Sequence, residues 1–175
     1  AVNNIYMNGQ SDSDWYDIRC YDTVDRRNIN SPSFVIDGKS SGCRLFGVHI
    51  WGLRHIALDN RAIDTEFYGT HLEGAQIKLN MASRCSITGQ LYDTGENLAP
   101  IGVNFERQIR NCRIDVSCRN LAVAVNVNGN DGKLNYIKCL LNTSIADAKL
   151  FSQRMAYENY IFAEMFNFAT DSGVY

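Results

Sequence analysis

The chain keeps returning to one short unit, two apolar residues separated by any residue and followed by Asn or Asp: IYMN from Ile5, FVID from Phe34, IALD from Ile56, IKLN from Ile77, IGVN from Ile101 and VAVN from Val123. The polar ends, Asn8, Asp37, Asp59, Asn80, Asn104 and Asn126, lie 29, 22, 21, 24 and 22 residues apart. A recurring internal period of this size marks a repeat architecture rather than a single packed globule. Between these units runs a second series, centred on Ile18 in YDIRC, Leu45 in CRLFG, Phe67 in TEFYG, Ile87 in CSITG, Ile114 in CRIDV and Ile137 in NYIKC. The alternation in both series is that of half-buried strands, so each repeat predicts two strands. In the second repeat it places Cys43, Leu45, Gly47 and His49 inward and Arg44, Phe46 and Val48 outward.

Segments rich in Gly, Asn, Asp and Pro, such as VDRRNINSP, YDTGENLAP and NGNDGKLN, separate the strands and supply turns. No helical pattern long enough for ordinary parallel crossovers intervenes, so the economical solution is a coil making one turn per repeat. Equivalent side chains then stack from turn to turn. Three inner columns are predicted: Ile18, Leu45, Phe67, Ile87, Ile114 and Ile137; Ile5, Phe34, Ile56, Ile77, Ile101 and Val123; and Met7, Ile36, Leu58, Leu79, Val103 and Val125. The Asn and Asp ends are expected to form a hydrogen-bonded ladder at the following bend, the alternative being that they are surface turn formers.

Composition fits one buried core: 175 residues, 45% apolar, with a formal net charge of −2. That balance provides no electrostatic reason for nucleic acid or an anionic membrane surface as partner, and no apolar run suits membrane insertion. The start AVNNIYMNGQ has no signal-peptide pattern, and the chain reads as part of something longer. Cys20, Cys43, Cys85, Cys112, Cys118 and Cys139 are spread through the apolar alternation and are expected to be buried free thiols. With His49, His55 and His71 they form no zinc-type spacing, so no metal and no cofactor are expected.

These repeats resemble the right-handed parallel β-helix, the pectin-lyase-like architecture, and in length and irregular turns those of bacteriophage tailspikes and appendages. The fold class expected is therefore all-β, a right-handed parallel β-helix solenoid of about six rungs, occupying residues 1–150. Residues 151–175, which hold Ile161, Phe162, Met165, Phe166 and Phe168, would form a last rung, since Ile161 lies 24 residues after Ile137, or a capping and trimerisation segment. The resemblance implies a homotrimer in the virion tail, assembled in the host cytoplasm, that binds and in some cases degrades a host-surface polysaccharide. The same architecture also hosts glycan hydrolases, lyases and inert shafts, so a pectin-lyase-like enzyme and a purely structural module stay open. Thiols without disulfide spacing suit reducing assembly. Small residues expected on the outside, Ala57, Gly102 and Ala124, would let another chain approach.

Hydrolysis of a glycosidic bond by a glycosidase needs two carboxyl groups. Glu73, Asp93, Glu96 and Asp115 are the catalytic candidates, with Glu66 a further outward carboxylate, and Lys78 and Arg113 available to neutralise charge in a lyase. Sugar binding asks for exposed aromatic faces and planar polar groups. Phe46 and Tyr68 are expected to stack at one outward position, with Tyr21 and Tyr92 near, as a sugar platform or as a strip covered by a neighbouring chain. Phe46, Tyr68, Tyr92 and Arg113 are thus the substrate-binding candidates. His49 and His71 are expected to share an inward column beside Leu91 and Cys118.

Overall fold

Strands stack in parallel along almost the whole chain of the computed structural model, which describes residues 5–21, 32, 34–51, 56–73, 76–92, 101–127, 132–133, 135–143, 149–153, 156–157 and 160–167. A short sheet of seven strands contains Ile5–Met7, Phe34–Ile36, Ile56–Asn60, Gln76–Asn80, Ile101–Arg107, Val123–Val127 and Lys149–Gln153, in chain order. The long sheet of nine strands carries Asp14–Tyr16, Arg44–Phe46, Glu66–Glu73, Ser86–Tyr92, Arg113–Arg119, Tyr136–Thr143 and Tyr160–Asn167, with Arg19–Tyr21 and His49–Trp51 alongside its early members. Consecutive members of one sheet are separated in sequence by a member of the other, so the chain winds as a parallel β-solenoid. No helix occurs among the described residues.

Sharp corners recur at equivalent places in the coil. Bridges link Ser11 to Ser41, Ser41 to Ile63, Ile63 to Ser83 and Ser83 to Arg110. These four steps carry sheet, corner and sheet together, so about four complete turns lie between Ser11 and Arg110 rather than the six rungs expected, while the sheets themselves extend further. The residue after each bridge is left-handed: Asp12, Gly42, Asp64, Arg84 and Asn111 have φ of 49°, 63°, 53°, 53° and 54°. Asp, Asn and Gly tolerate this conformation best, which explains why four of the five corners carry them.

Burial follows the solenoid interior. In the long sheet Leu45, Phe67, Ile87, Ile114 and Ile137 stack in register as expected, all at 0% exposure. Ile18 does not join them; Trp15 is opposite Leu45, three residues earlier. The cause is a second left-handed position within each early turn, at Asp17, Gly47 and Gly69, which resets the alternation. Val48 and Ile50 are therefore buried, where a strict period of two turns them outward. His49 and His71 are displaced to the outer, half-exposed column beside Gln90, correcting the inward placement. Leu91 and Cys118 pair with each other one position further along.

In the short sheet the expected columns slip by two residues at three steps: Phe34 faces Leu58 rather than Ile56, Leu58 faces Ile77 rather than Leu79, and Ile77 faces Val103 rather than Ile101. Bulges interrupt two of these pairings, between Ile56 and Leu58 where they face Gln76–Asn80, and between Phe105 and Arg107. Phe34, Leu58, Ile77, Val103 and Val125 form the actual column, nearly free of exposure. Gly102 and Ala124 are also buried, a Cβ on Gly102 meeting Leu121 Cδ1 at 2.9 Å, so these small residues fill the interior instead of offering an outer surface. The side chain of Ala57 lies outside the described residues.

The slip dissolves most of the predicted amide ladder. Asn104 and Asn126 do stack, with Asn126 Nδ2 donating to Asn104 Oδ1 at 2.8 Å, but Asn80 pairs with Arg107 and Asp59 with Lys78. A more regular column lies further along the same connection, where it enters the long sheet, through Ser13, Cys43, Thr65, Cys85, Cys112 and Asn135. Ser13 Oγ and Cys43 Sγ are 3.4 Å apart, the Cys85 amide donates to Cys112 Sγ at 3.4 Å, and the Cys112 amide donates to Asn135 Oδ1 at 2.9 Å. Thiols, hydroxyls and an amide thus take up carbonyls and amides that the corner would otherwise leave unpaired. All six cysteines are free and buried. Hydrogen bonding to Cys85 together with burial raises the Cys112 pKa, and the same two causes, with Cys139 as partner, raise that of Cys118.

Candidate functional site

Alternation in the long sheet turns one set of side chains to its outer face, and parallel pairing lines them up. One outer column runs Tyr16, Phe46, Tyr68, Thr88, Asp115, Lys138 and Phe162. The three early rings stack: Tyr16 and Phe46 have centroids 4.9 Å apart at 10°, Phe46 and Tyr68 5.0 Å apart at 9°. This spacing equals the strand repeat, so the stack is a direct product of parallel register. Tyr16 is 65% exposed and Tyr68 39%. Since the rings face one another, the free ring faces lie at the two ends of the stack, and that of Tyr68 is turned toward Thr88. Its hydroxyl donates to Glu66 Oε2 at 2.6 Å, which fixes the ring and raises the phenol pKa above its usual value.

A bulge next to Tyr68 shapes the neighbouring surface. Register jumps between Ile87 and Gly89, so Tyr68 and the left-handed Gly69 together oppose Thr88. The Gly69 amide donates to Thr88 Oγ1, and Thr88 Oγ1 donates to the Phe67 carbonyl, each at 3.3 Å. Beyond it the face is hollowed by shallow grooves that meet at Ser117. One of about 420 Å³ is lined by Gly69, Thr70, His71, Gly89, Gln90, Asp115 and Ser117. A second of about 500 Å³ continues from Asp115 and Ser117 past Lys138 and Leu140 to Phe162 and Glu164. A third of about 470 Å³ opens sideways from Gln90 and Ser117 to Tyr92, Arg119, Asn120 and Asn142.

The sequence-derived candidates divide accordingly. Phe46 and Tyr68 form the stack expected of them. Tyr92 lines the lateral groove and stands edge-on to His71, 5.2 Å between centroids at 67°, and His71 is itself edge-on to His49 at 4.7 Å. Asp115 sits at the junction of the grooves, half-buried, with Lys138 Nζ 3.7 Å from its Oδ2. Arg113 occupies the adjacent outer column and lies over the Tyr136 ring at 5.3 Å. Lys78 is on the other sheet, where its Nζ meets Glu106 Oε2 at 2.5 Å. Glu73 ends its strand opposite Trp51 and Tyr92, and its side chain lies outside the described residues, as do Asp93 and Glu96 altogether. The side chain of Tyr21 is likewise outside them. Tyr16, Ser117, Gln90, Leu140 and Phe162 are site residues that sequence reasoning missed. Tyr16 could have been found by aligning the corner residues Ser13, Cys43 and Thr65, since it follows Ser13 by the three positions that separate Phe46 from Cys43 and Tyr68 from Thr65.

Chemically the face offers aromatic surface at both ends of a polar floor: ring faces for C–H groups, and Gln, Ser, His and carboxylate groups for hydroxyls. No protein-family model matches the chain, and neither the curated proteins nor the solved structures contain a match to it.

Proposed function

We propose that the outer face of the long sheet binds a polysaccharide, serving a viral tailspike or appendage, assembled as a homotrimer, in its attachment to a host-surface glycopolymer. The observation that supports this reading is the Tyr16, Phe46 and Tyr68 stack, whose exposed end borders a groove lined by His71, Gln90, Asp115 and Ser117. Hydroxyl, amide and carboxylate groups on the floor of this groove suit a ligand that is itself rich in hydroxyls. A sugar presents the complementary pattern: an apolar C–H face for the ring of Tyr68 and hydroxyls for the floor. The strand lattice fixes these groups before the ligand arrives, so little ordering is lost on binding.

A glycan array followed by calorimetry on the best oligosaccharide tests this. Tyr68→Ala is expected to weaken binding about tenfold, and Tyr68→Phe, which keeps the ring, to retain most of it. Wild-type affinity in Tyr68→Ala, or no glycan bound by a folded sample, would leave a structural shaft as the better account.

A further inference from the structure

We propose that the groove selects uncharged glycans and rejects acidic ones. This rests on the glycan-binding reading and adds the charge class of the ligand. Along the grooves that meet at Asp115, the charged side chains among the described residues are Asp115, Lys138 and Glu164. Lys138 is the cation among them, and its ammonium is already held 3.7 Å from the Asp115 carboxylate. Glu164 is exposed and adds a negative charge at the Phe162 end. Arg113, the nearby base on the adjacent column, is turned over the ring of Tyr136, and Arg119 lines the lateral groove. A uronate or other anionic substituent laid between Tyr68 and Phe162 would meet one cation, already engaged, and would face two carboxylates. An uncharged sugar loses nothing to that field. Several such units in a chain gain the ring faces of Tyr68 and Phe162, which lie four strand spacings apart, the latter 57% exposed, and hydrogen bonds from Gln90 and Ser117.

The pairing lets one atom exchange cancel much of the selectivity. Asp115→Asn removes the carboxylate while keeping its shape, and so releases Lys138 toward the groove. The net change is one positive charge at the groove centre, enough for about a five- to tenfold gain toward an anionic ligand at low salt.

The test uses the full 175-residue chain and two probe sets: neutral gluco-, manno- and galacto-oligosaccharides, and oligogalacturonates of matched length. Expected for the wild type is binding of at least one neutral probe with an affinity unchanged between low and high salt, and at least tenfold weaker binding of every oligogalacturonate. In Asp115→Asn the acidic probes should gain five- to tenfold in a salt-sensitive manner. Salt-sensitive binding of oligogalacturonate by the wild type as tight as that of the neutral probes would overturn the selectivity while leaving glycan binding in place. Acidic probes that bind Asp115→Asn no better than wild type would show that the Lys138 pair does not control it. Absence of binding to every probe, with the melting curve intact, would remove both the glycan reading and this one.

Discussion

Gly89 presents a sharper test of the coil than any core truncation. A Cβ built on it would lie 2.0 Å from the Thr70 carbonyl oxygen, 2.7 Å from its carbon and 2.9 Å from Thr70 Cα, all backbone atoms of the neighbouring strand. No rotamer relieves this. For Gly89→Ala the strands Glu66–Glu73 and Ser86–Tyr92 must separate by about 1.4 Å to restore an ordinary contact, which stretches nearby hydrogen bonds beyond useful length. Overpacking of about 1–3 kcal/mol, with one or two weakened bonds of about 1 kcal/mol each, puts the loss near 3 kcal/mol. For a chain of this size that lowers Tm by about 6–12 °C. Gly69, across the same bulge, is the internal control. Its φ is +65° and a Cβ there meets nothing within 4 Å, so Gly69→Ala bears only the cost of the left-handed backbone, about 1 kcal/mol or 2–4 °C. Thermal melts followed by far-ultraviolet circular dichroism separate the two. Gly69→Asn should recover most of the stability, because Asn tolerates this backbone, whereas Gly89→Asn should be at least as damaging as the alanine. A Gly89→Ala protein melting with the wild type, or a Gly69→Ala protein melting below Gly89→Ala, would refute the register assigned around the bulge.

Asn135→Ala should cost about 2–4 kcal/mol in urea unfolding, because it leaves the Cys112 amide and the Ile109 carbonyl, now bonded at 2.9 and 3.1 Å, without partners in the interior. Acid should erode stability through Asp64, whose carboxyl is held below the usual carboxylate range first by the hydrogen bonds from Arg84, at 2.6 and 2.7 Å, and through Asp37, lowered first by the Tyr6 hydroxyl. A pKa lowered in the folded state contributes stability above the unfolded value and loses it as pH falls through the folded one, so Tm should be flat above about pH 5 and fall below about pH 4. Asp64→Asn should make that acid limb shallower, and an unchanged limb would show that the pair is fully screened.

How much of this was legible in the sequence differs between the two sheets. Around Leu45, Phe67, Ile87, Ile114 and Ile137 each strand is announced by a corner residue two positions earlier, so the alignment had an anchor and the register is the observed one. In the short sheet Ile56 and Leu58, or Ile101 and Val103, are equally good apolar residues two positions apart. Period-two alternation cannot choose between them, and the pairing of whole strands decided the matter. The histidines were misplaced for a related reason: a left-handed Gly47 turns the next residue to the other face, and a Gly in an alternating pattern does not announce its φ. At the site, Phe46 and Tyr68 were legible because aromatic residues recur one period apart. Phe162 was recognised only as a packed residue, since its outward position depends on the pairing of Tyr160–Asn167 with Tyr136–Thr143. The alternation also could not show that Asp115 would find Lys138, which comes from the next strand.

The buried sulfurs give the molecule a built-in gauge. Cys20 and Cys43 sit in early strands and corners, Cys85 and Cys112 in the middle, Cys118 and Cys139 toward the later strands, each sealed from solvent while its own layer is closed. A coil whose layers touch only their neighbours opens layer by layer. Alkylation timed by peptide mass mapping would therefore record where unwinding begins and how far it travels, without any added label.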